Sequence, residues 1–236
     1  MTERQLYSPT IVVTGTFITR RAAPLKLPLF AAYNELMPNI LAFLLSAHVV
    51  QAIIIGATLA FLIAVAIINL KINAIKTTVN GWSTTLKCGR LGSGILLRAA
   101  SAKFLPVVNV AEEAVYWMAT TDGTKKALNG RHDYLLHFPA GQTPPTEAFW
   151  SLTITDTVGY MVSNSIDRHS VSDRSGLAAN LDGSIDIYIQ SAAPATHEAN
   201  WLPAPAGNFK LTLRAYLPGD AVLSGEYHVP PVQKVR

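Results

Sequence analysis

At 236 residues, half of them hydrophobic and only 14% charged, the chain has room for one ordinary domain plus appendages, and its charge content is well below that of typical soluble domains. The net charge is +4, and residues 71–236 balance fifteen Lys/Arg against thirteen Asp/Glu, so no basic surface is expected for nucleic acid. A single cysteine, Cys88, excludes an intramolecular disulfide and a cysteine-rich zinc site.

Residues 1–35 read as an N-terminal arm. Thr10–Ile18 suits a short strand or an extended segment, Arg20 and Arg21 follow, and Pro24 and Pro28 deny the next piece a continuous helix. Leu25 and Leu27 flank Lys26, with Phe30 and Tyr33 further on, a pattern suited to a membrane interface or a partner surface. A cleavable signal peptide is not expected, because the apolar run that follows starts too late and is too long.

That run, Leu36 to Leu70, contains no charged residue; Glu35 closes it on one side and Lys71 on the other. A helix needs about 20 mostly apolar residues to cross a bilayer core, so residues 36–70 are expected to form one transmembrane helix. From Asn39 to Leu70 a straight helix would measure about 48 Å, longer than the core and too short for two crossings. Its first half carries Ser46, His48 and Gln51, with His48 and Gln51 three apart on one face, and its second half is almost purely aliphatic. Such a face meets headgroups or a neighbouring helix. A tetrapyrrole metal could be ligated by His48, but one histidine without a partner motif gives no ground for a cofactor, and none is expected. The Lys/Arg residues on the two sides do not set an orientation.

Residues 71–90 are expected to be a connector leading through Asn80-Gly-Trp82, and 91–236 a β-sandwich. Arg98–Lys103 has a helical composition. Strands are expected near Glu112–Met118, Tyr134–Phe138, Phe149–Thr155, Ser184–Gln190 and Asn208–Tyr216, separated by turn signals such as Asp122-Gly123 and Asp182-Gly183. Short alternating strands of this kind indicate an antiparallel sandwich.

Several strings in this block carry a resemblance. They are Ala148-Phe-Trp-Ser-Leu-Thr-Ile-Thr-Asp156, Asp173-Arg-Ser175, Asn180 through Gln190, Ala199-Asn-Trp-Leu-Pro-Ala-Pro-Ala-Gly207, Phe209–Arg214 and Pro230–Val235. The block from Glu147 to Val235 closely resembles the family called domain of unknown function 1214. Looser similarity to its small, membrane-anchored members reaches back through Phe138-Pro-Ala-Gly-Gln142 to Asn80-Gly-Trp82. The resemblance implies a mainly β fold, an antiparallel jelly-roll-like sandwich preceded here by one long transmembrane helix. Larger relatives pair it with a second such domain. It implies no activity. From the small anchored members it implies a bacterial inner (cytoplasmic) membrane location, with the N-terminus in the cytoplasm and the sandwich in the periplasm.

The most polar stretch is Asp167-Arg-His169 with Asp173-Arg-Ser175. Acid, base and hydroxyl are present, but no nucleophile elbow accompanies them, and Arg168 and Arg174 are expected to pair with Asp167, Asp173 or loop carbonyls. Glu112-Glu113 are a poor pair for glycoside chemistry, since adjacent strand residues face opposite ways. His132, His137, His169, His197 and His228 lack metal-ligand spacing. Neither a catalytic set nor a metal site is expected. Trp201, in a proline-fixed loop, is expected on the core or an interface, or with Tyr188 or Tyr216 as an aromatic carbohydrate platform. The leading expectation is a single-pass, non-catalytic accessory or stabilising subunit of a larger membrane complex, for example an energy-transducing, photosynthetic or respiratory one. Its partners would be lipid and other membrane subunits, met through Ser46, His48, Gln51, Arg20, Arg21, Phe30 and Tyr33. The competing reading is an envelope enzyme or glycan-binding protein with a cleft at Asp173, Arg174, Trp201 and Tyr188.

Overall fold

A computed structural model of the chain describes residues 28–89, 93–104 and 109–235. Arg20, Arg21 and the Thr10–Ile18 segment lie outside the described residues. The chain divides into two compact units, one ending at Ala60 and one running from Phe61 to Arg236.

Helix α1 spans Pro28–Leu44 and α2 spans Ala47–Ile75. This corrects two expectations. Pro28 does not stop a helix; it opens one, where its missing N–H costs nothing. Phe30 and Tyr33 therefore belong to α1 and not to an irregular arm. The apolar stretch is also not one helix, being interrupted at Leu45 and Ser46. The Ser46 hydroxyl accepts a hydrogen bond from the Val49 N–H at 3.4 Å, the N-cap interaction that starts α2. His48 and Gln51 consequently sit in the first turns of a new helix. At 29 residues α2 measures about 43 Å. Among the described residues it is the one helix long and apolar enough to cross a membrane, and none of its most apolar window is buried within the chain.

Past Ile75, the expected connector turns out to contain the first hairpin of the sandwich, β1 (Thr77–Val79) and β2 (Trp82–Thr84). Asn80 and Gly81 form its turn with φ of 54° and 85°, the left-handed pair that an Asn-Gly turn supplies most cheaply. A Cβ on Gly81 would also stand 3.0 Å from the carbonyl oxygens of Thr121 and Asp122. Helix α3 (Ile95–Phe104) covers the predicted helical segment. The remaining strands are β3 (Ala114–Ala119), β4 (Tyr134–Phe138), β5 (Thr146–Asp156), β6 (Ser170–Ser172), β7 (Ile185–Gln190), β8 (Trp201–Pro203), β9 (Phe209–Pro218) and β10 (Val232–Lys234), with a short helix α4 (Asp220–Leu223) before the last.

Two sheets result, six-stranded β1-β2-β3-β9-β5-β6 and four-stranded β10-β4-β7-β8. Every pair is antiparallel except β7 with β8, which run parallel with Tyr188 opposite Trp201, a departure from the expected antiparallel sandwich. Alternation explains the packing. Trp150, Leu152 and Ile154 of β5 and Leu211, Leu213 and Ala215 of β9 point inward, meeting Leu136 and Phe138 of β4 and Ile187 and Ile189 of β7 in one core. Each fully buried large side chain of this kind contributes about 1.5–3 kcal/mol relative to exposure. Ring contacts join the layers at two levels: Phe138 lies 5.5 Å from Trp150, and Tyr134 5.9 Å edge-on to Phe209.

Candidate functional site

The polar loop between β5 and β7 is held by its own side chains. The Arg168 guanidinium donates to the carbonyls of Glu198 (2.7 Å) and Trp201 (2.9 Å), tying the loop to β8. Arg174 donates to the Ala148 carbonyl at 2.9 Å and lies over the Phe149 ring, 4.4 Å from its centroid. Of the alternatives that the sequence offered, carbonyls are thus what both arginines meet. Asp167 does contact His169, at 3.1 Å, but its side chain is almost fully exposed, and Ser175 bonds the N–H and hydroxyl of Ser172. A solvent-exposed carboxylate and a hydroxyl engaged elsewhere do not make a nucleophilic triad.

Trp201 is buried, its indole N–H donating to the Gln190 carbonyl at 2.9 Å, so it offers no open platform for a sugar. Its strand neighbour Tyr188 is half-buried, with its ring 6.0 Å from that of His197. Tyr216 is stacked on Phe149 at 4.5 Å. Asp173 and Arg174 are exposed beside the six-stranded sheet, whereas Trp201 and Tyr188 belong to the four-stranded one. Asn200 beside Trp201 is buried and fully used: it donates to the Ala178 and Asp186 carbonyls and accepts from the Ala178 N–H.

The sequence did not show a second polar cluster, because strand pairing brings it together. His137 of β4 stands opposite Asp186 of β7, with Nδ1 2.6 Å from the carboxylate. Asn180 donates to the other carboxylate oxygen at 3.0 Å. Ser184 gives its hydroxyl to Asp182 at 2.6 Å, and this bond, with the Ser184 N–H, holds the Asp182 carboxyl below its ordinary pKa. With its serine proton directed at Asp182, the cluster braces a strand end. Among the described residues no three metal-ligating side chains come together.

A partly open cavity lies elsewhere. A cavity of about 290 Å³ runs beneath the first hairpin, bounded by Thr77, Trp82, Thr84, Trp117 and Leu86 on one side and by Val222 to Val229 on the other. Trp82 closes it by donating its indole N–H to the Pro230 carbonyl at 2.8 Å, while the Asn80 amide donates to the Val229 carbonyl at 3.0 Å. Inside, Trp117 and Tyr227 meet edge-on at 5.8 Å. Tyr227 gives its hydroxyl to the Gln142 carbonyl at 3.1 Å, and burial pushes its pKa well above the ordinary tyrosine value. Aromatic walls with a few hydroxyls and the His228 ring suit a small, largely apolar ligand, at the lower end of the roughly 300–1,000 Å³ usual for such sites. Alternation places Trp117 inward, but no local signal joins residues 77–86 to 222–230.

No curated protein matches the chain. A crystal structure of the VPA0106 protein from Vibrio parahaemolyticus is similar at 31% identity and a TM-score of 0.52, over 60% of this chain and 35% of that one. This chain therefore spans about a third of that structure's length. A crystal structure of an uncharacterized protein from Burkholderia cenocepacia is aligned over 52% of this chain and 29% of its own, at 15% identity and a TM-score of 0.33, too slight a likeness to add anything. Of the residues lining the cavity, Val115 and Trp117 fall within the segment that a family model matches. That segment, residues 113–220, matches the family described as "Protein of unknown function (DUF1214)", and this part of the sandwich is a domain of the family that its motifs resemble.

Proposed function

We propose that this protein is a single-pass membrane protein whose sandwich works by binding, as a non-catalytic accessory or stabilising subunit of a larger membrane complex. The observation that carries the reading is α2: a 29-residue apolar helix whose most apolar window finds no cover within the chain, with Ile53, Leu59, Leu62 and Leu70 all more than half exposed. Lipid and neighbouring helices are the surroundings that such a helix requires. His48 and Gln51, exposed in its first turns, are the polar groups that a neighbouring subunit would meet. Arg168 and Arg174, in the most polar stretch of the sandwich, tie their loop to backbone carbonyls. We place the protein in the inner membrane with the sandwich in the periplasm.

Purification from native membranes in mild detergent tests this. A defined stoichiometric complex with other membrane subunits is the expected result, and a free monomer or homo-oligomer would overturn it. The cavity under the first hairpin supports a second reading, in which the sandwich holds a small apolar ligand, and a molecule co-purifying with the free monomer would favour it.

A further inference from the structure

The sandwich carries exposed leucines at the end from which the membrane helix enters it, and we infer that this end rests on the bilayer surface, with Leu181 and Leu217 in contact with lipid. The inference builds on the reading that α2 spans a membrane.

Strand register fixes which end this is. The second unit contains the last part of α2, and Thr77 of β1 follows two residues after Ile75, which is buried. A hydrogen bond of 2.6 Å from Lys103 of α3 to Asn69 of α2 fastens the helix foot beside the domain. Thr77 pairs with Thr84, Thr84 with Trp117 and Trp117 with Leu213. Beyond that level β9 continues past the start of β1, on the side from which the chain arrives, and reaches Leu217 four residues later. At roughly 3.3 Å per residue this is about 13 Å further toward the helix side. Leu217 is 48% exposed, and its φ is +49°. A leucine in the left-handed region is strained, and the surrounding pairing, including its N–H bond to the Glu113 carbonyl, holds it there.

The four-stranded sheet presents its own leucine at the same end. Phe138 packs against Trp150 near the head of β5, whereas Tyr134 packs against Phe209 near its tail, so the start of β7, paired with Phe138, lies on the helix side. Four residues before β7, Leu181 occupies the tip of a turn closed by the Gly183 N–H to the Asn180 carbonyl, and its side chain is fully exposed. The next residue, Asp182, keeps its charge, so the contact is at headgroup level and not within the hydrocarbon. Exposed apolar groups at the opposite end provide the contrast. Val158, Tyr160 and Met161 follow the tail of β5, a full strand length away, and cannot reach the same surface.

Spin labels on Leu181→Cys, Leu217→Cys, Leu62→Cys and Met161→Cys, each in the full chain in phosphatidylcholine nanodiscs, test the inference. Cys88 is buried, and the parent chain taken through the same labelling gives the background. The expected result is that the label at 62 relaxes with oxygen and is shielded from a water-soluble nickel chelate, the label at 161 relaxes with nickel, and the labels at 181 and 217 fall between the two, with less nickel access and more oxygen access than at 161. Nickel access at 181 and 217 equal to that at 161, with 62 shielded, would overturn the inference and leave the spanning reading standing. Shielding of 181 and 217 from both oxygen and nickel would mean protein contact and would overturn it too. Nickel access at 62 would remove the spanning reading itself. If Leu217→Cys impairs folding, Leu181→Cys, on an open turn, decides alone.

Discussion

Leucine means opposite things in the two halves of this molecule. In α2, Leu59, Leu62 and Leu70 are 56%, 57% and 69% exposed, whereas Leu136, Leu152 and Leu213 of the sandwich are wholly buried. The sandwich alternates, so one face of each strand can turn inward and the chain supplies its own apolar solvent. The helix is apolar all round, so no rotation hides it and its cover must come from outside the chain. The sandwich is therefore stable through contacts within the chain, and the helix through its surroundings.

The largest expected effect would sharpen that contrast. Leu213→Ala should cost the sandwich about 2–5 kcal/mol, from lost transfer energy and the cavity left behind. Leu62→Ala should leave the same unfolding midpoint unchanged when both are followed by near-UV circular dichroism in detergent. Equal losses would mean that the helix packs on the sandwich after all. Next, Leu59→Arg places a charge near the middle of α2 and should oppose membrane insertion by about 2.5–3.5 kcal/mol, read as the membrane-integrated fraction, with the sandwich still folded. The smallest effect concerns pH. Burial alone would raise the Asp122 pKa, but hydrogen bonds from the Thr124 hydroxyl and from the N–H groups of Lys126 and Thr124 outweigh it and hold the value below 3.8. A depressed carboxylate stabilises the fold above its unfolded pKa, and that contribution is lost as pH falls through the folded value. Asp122→Asn should therefore cost about 1.5–3 kcal/mol near neutrality and little in strong acid, shown by denaturant titrations across pH.

What could be read in advance followed local pattern. The β4 segment, Tyr134–Phe138, was legible to the residue because its alternation is bounded by turns, and β9 and β7 were nearly so. The break at Ser46 was not, since an apolar run hides a cap whose only mark is one hydroxyl. The first hairpin was also missed: β1 and β2 are three residues each, too short to show a period, and Asn80-Gly81 was the one cue. Trp201 illustrates the limit for the site. Its loop could be recognised as rigid, but whether the ring faced solvent or the interior depended on a parallel pairing with Tyr188 that no local rule anticipates.

By itself, then, the sequence determined a charge-free stretch able to cross a bilayer, a sandwich of alternating strands, and membership of the matched segment in its family, because each of these is written in periodicity or in contiguous motifs. Only the tertiary structure decided which polar residues are spent on backbone carbonyls, which segments enclose the cavity, and which loops share an end with the helix. Those outcomes rest on contacts between residues as distant as Trp82 and Pro230, whose pairing is set by sheet register and not by anything near them in the chain.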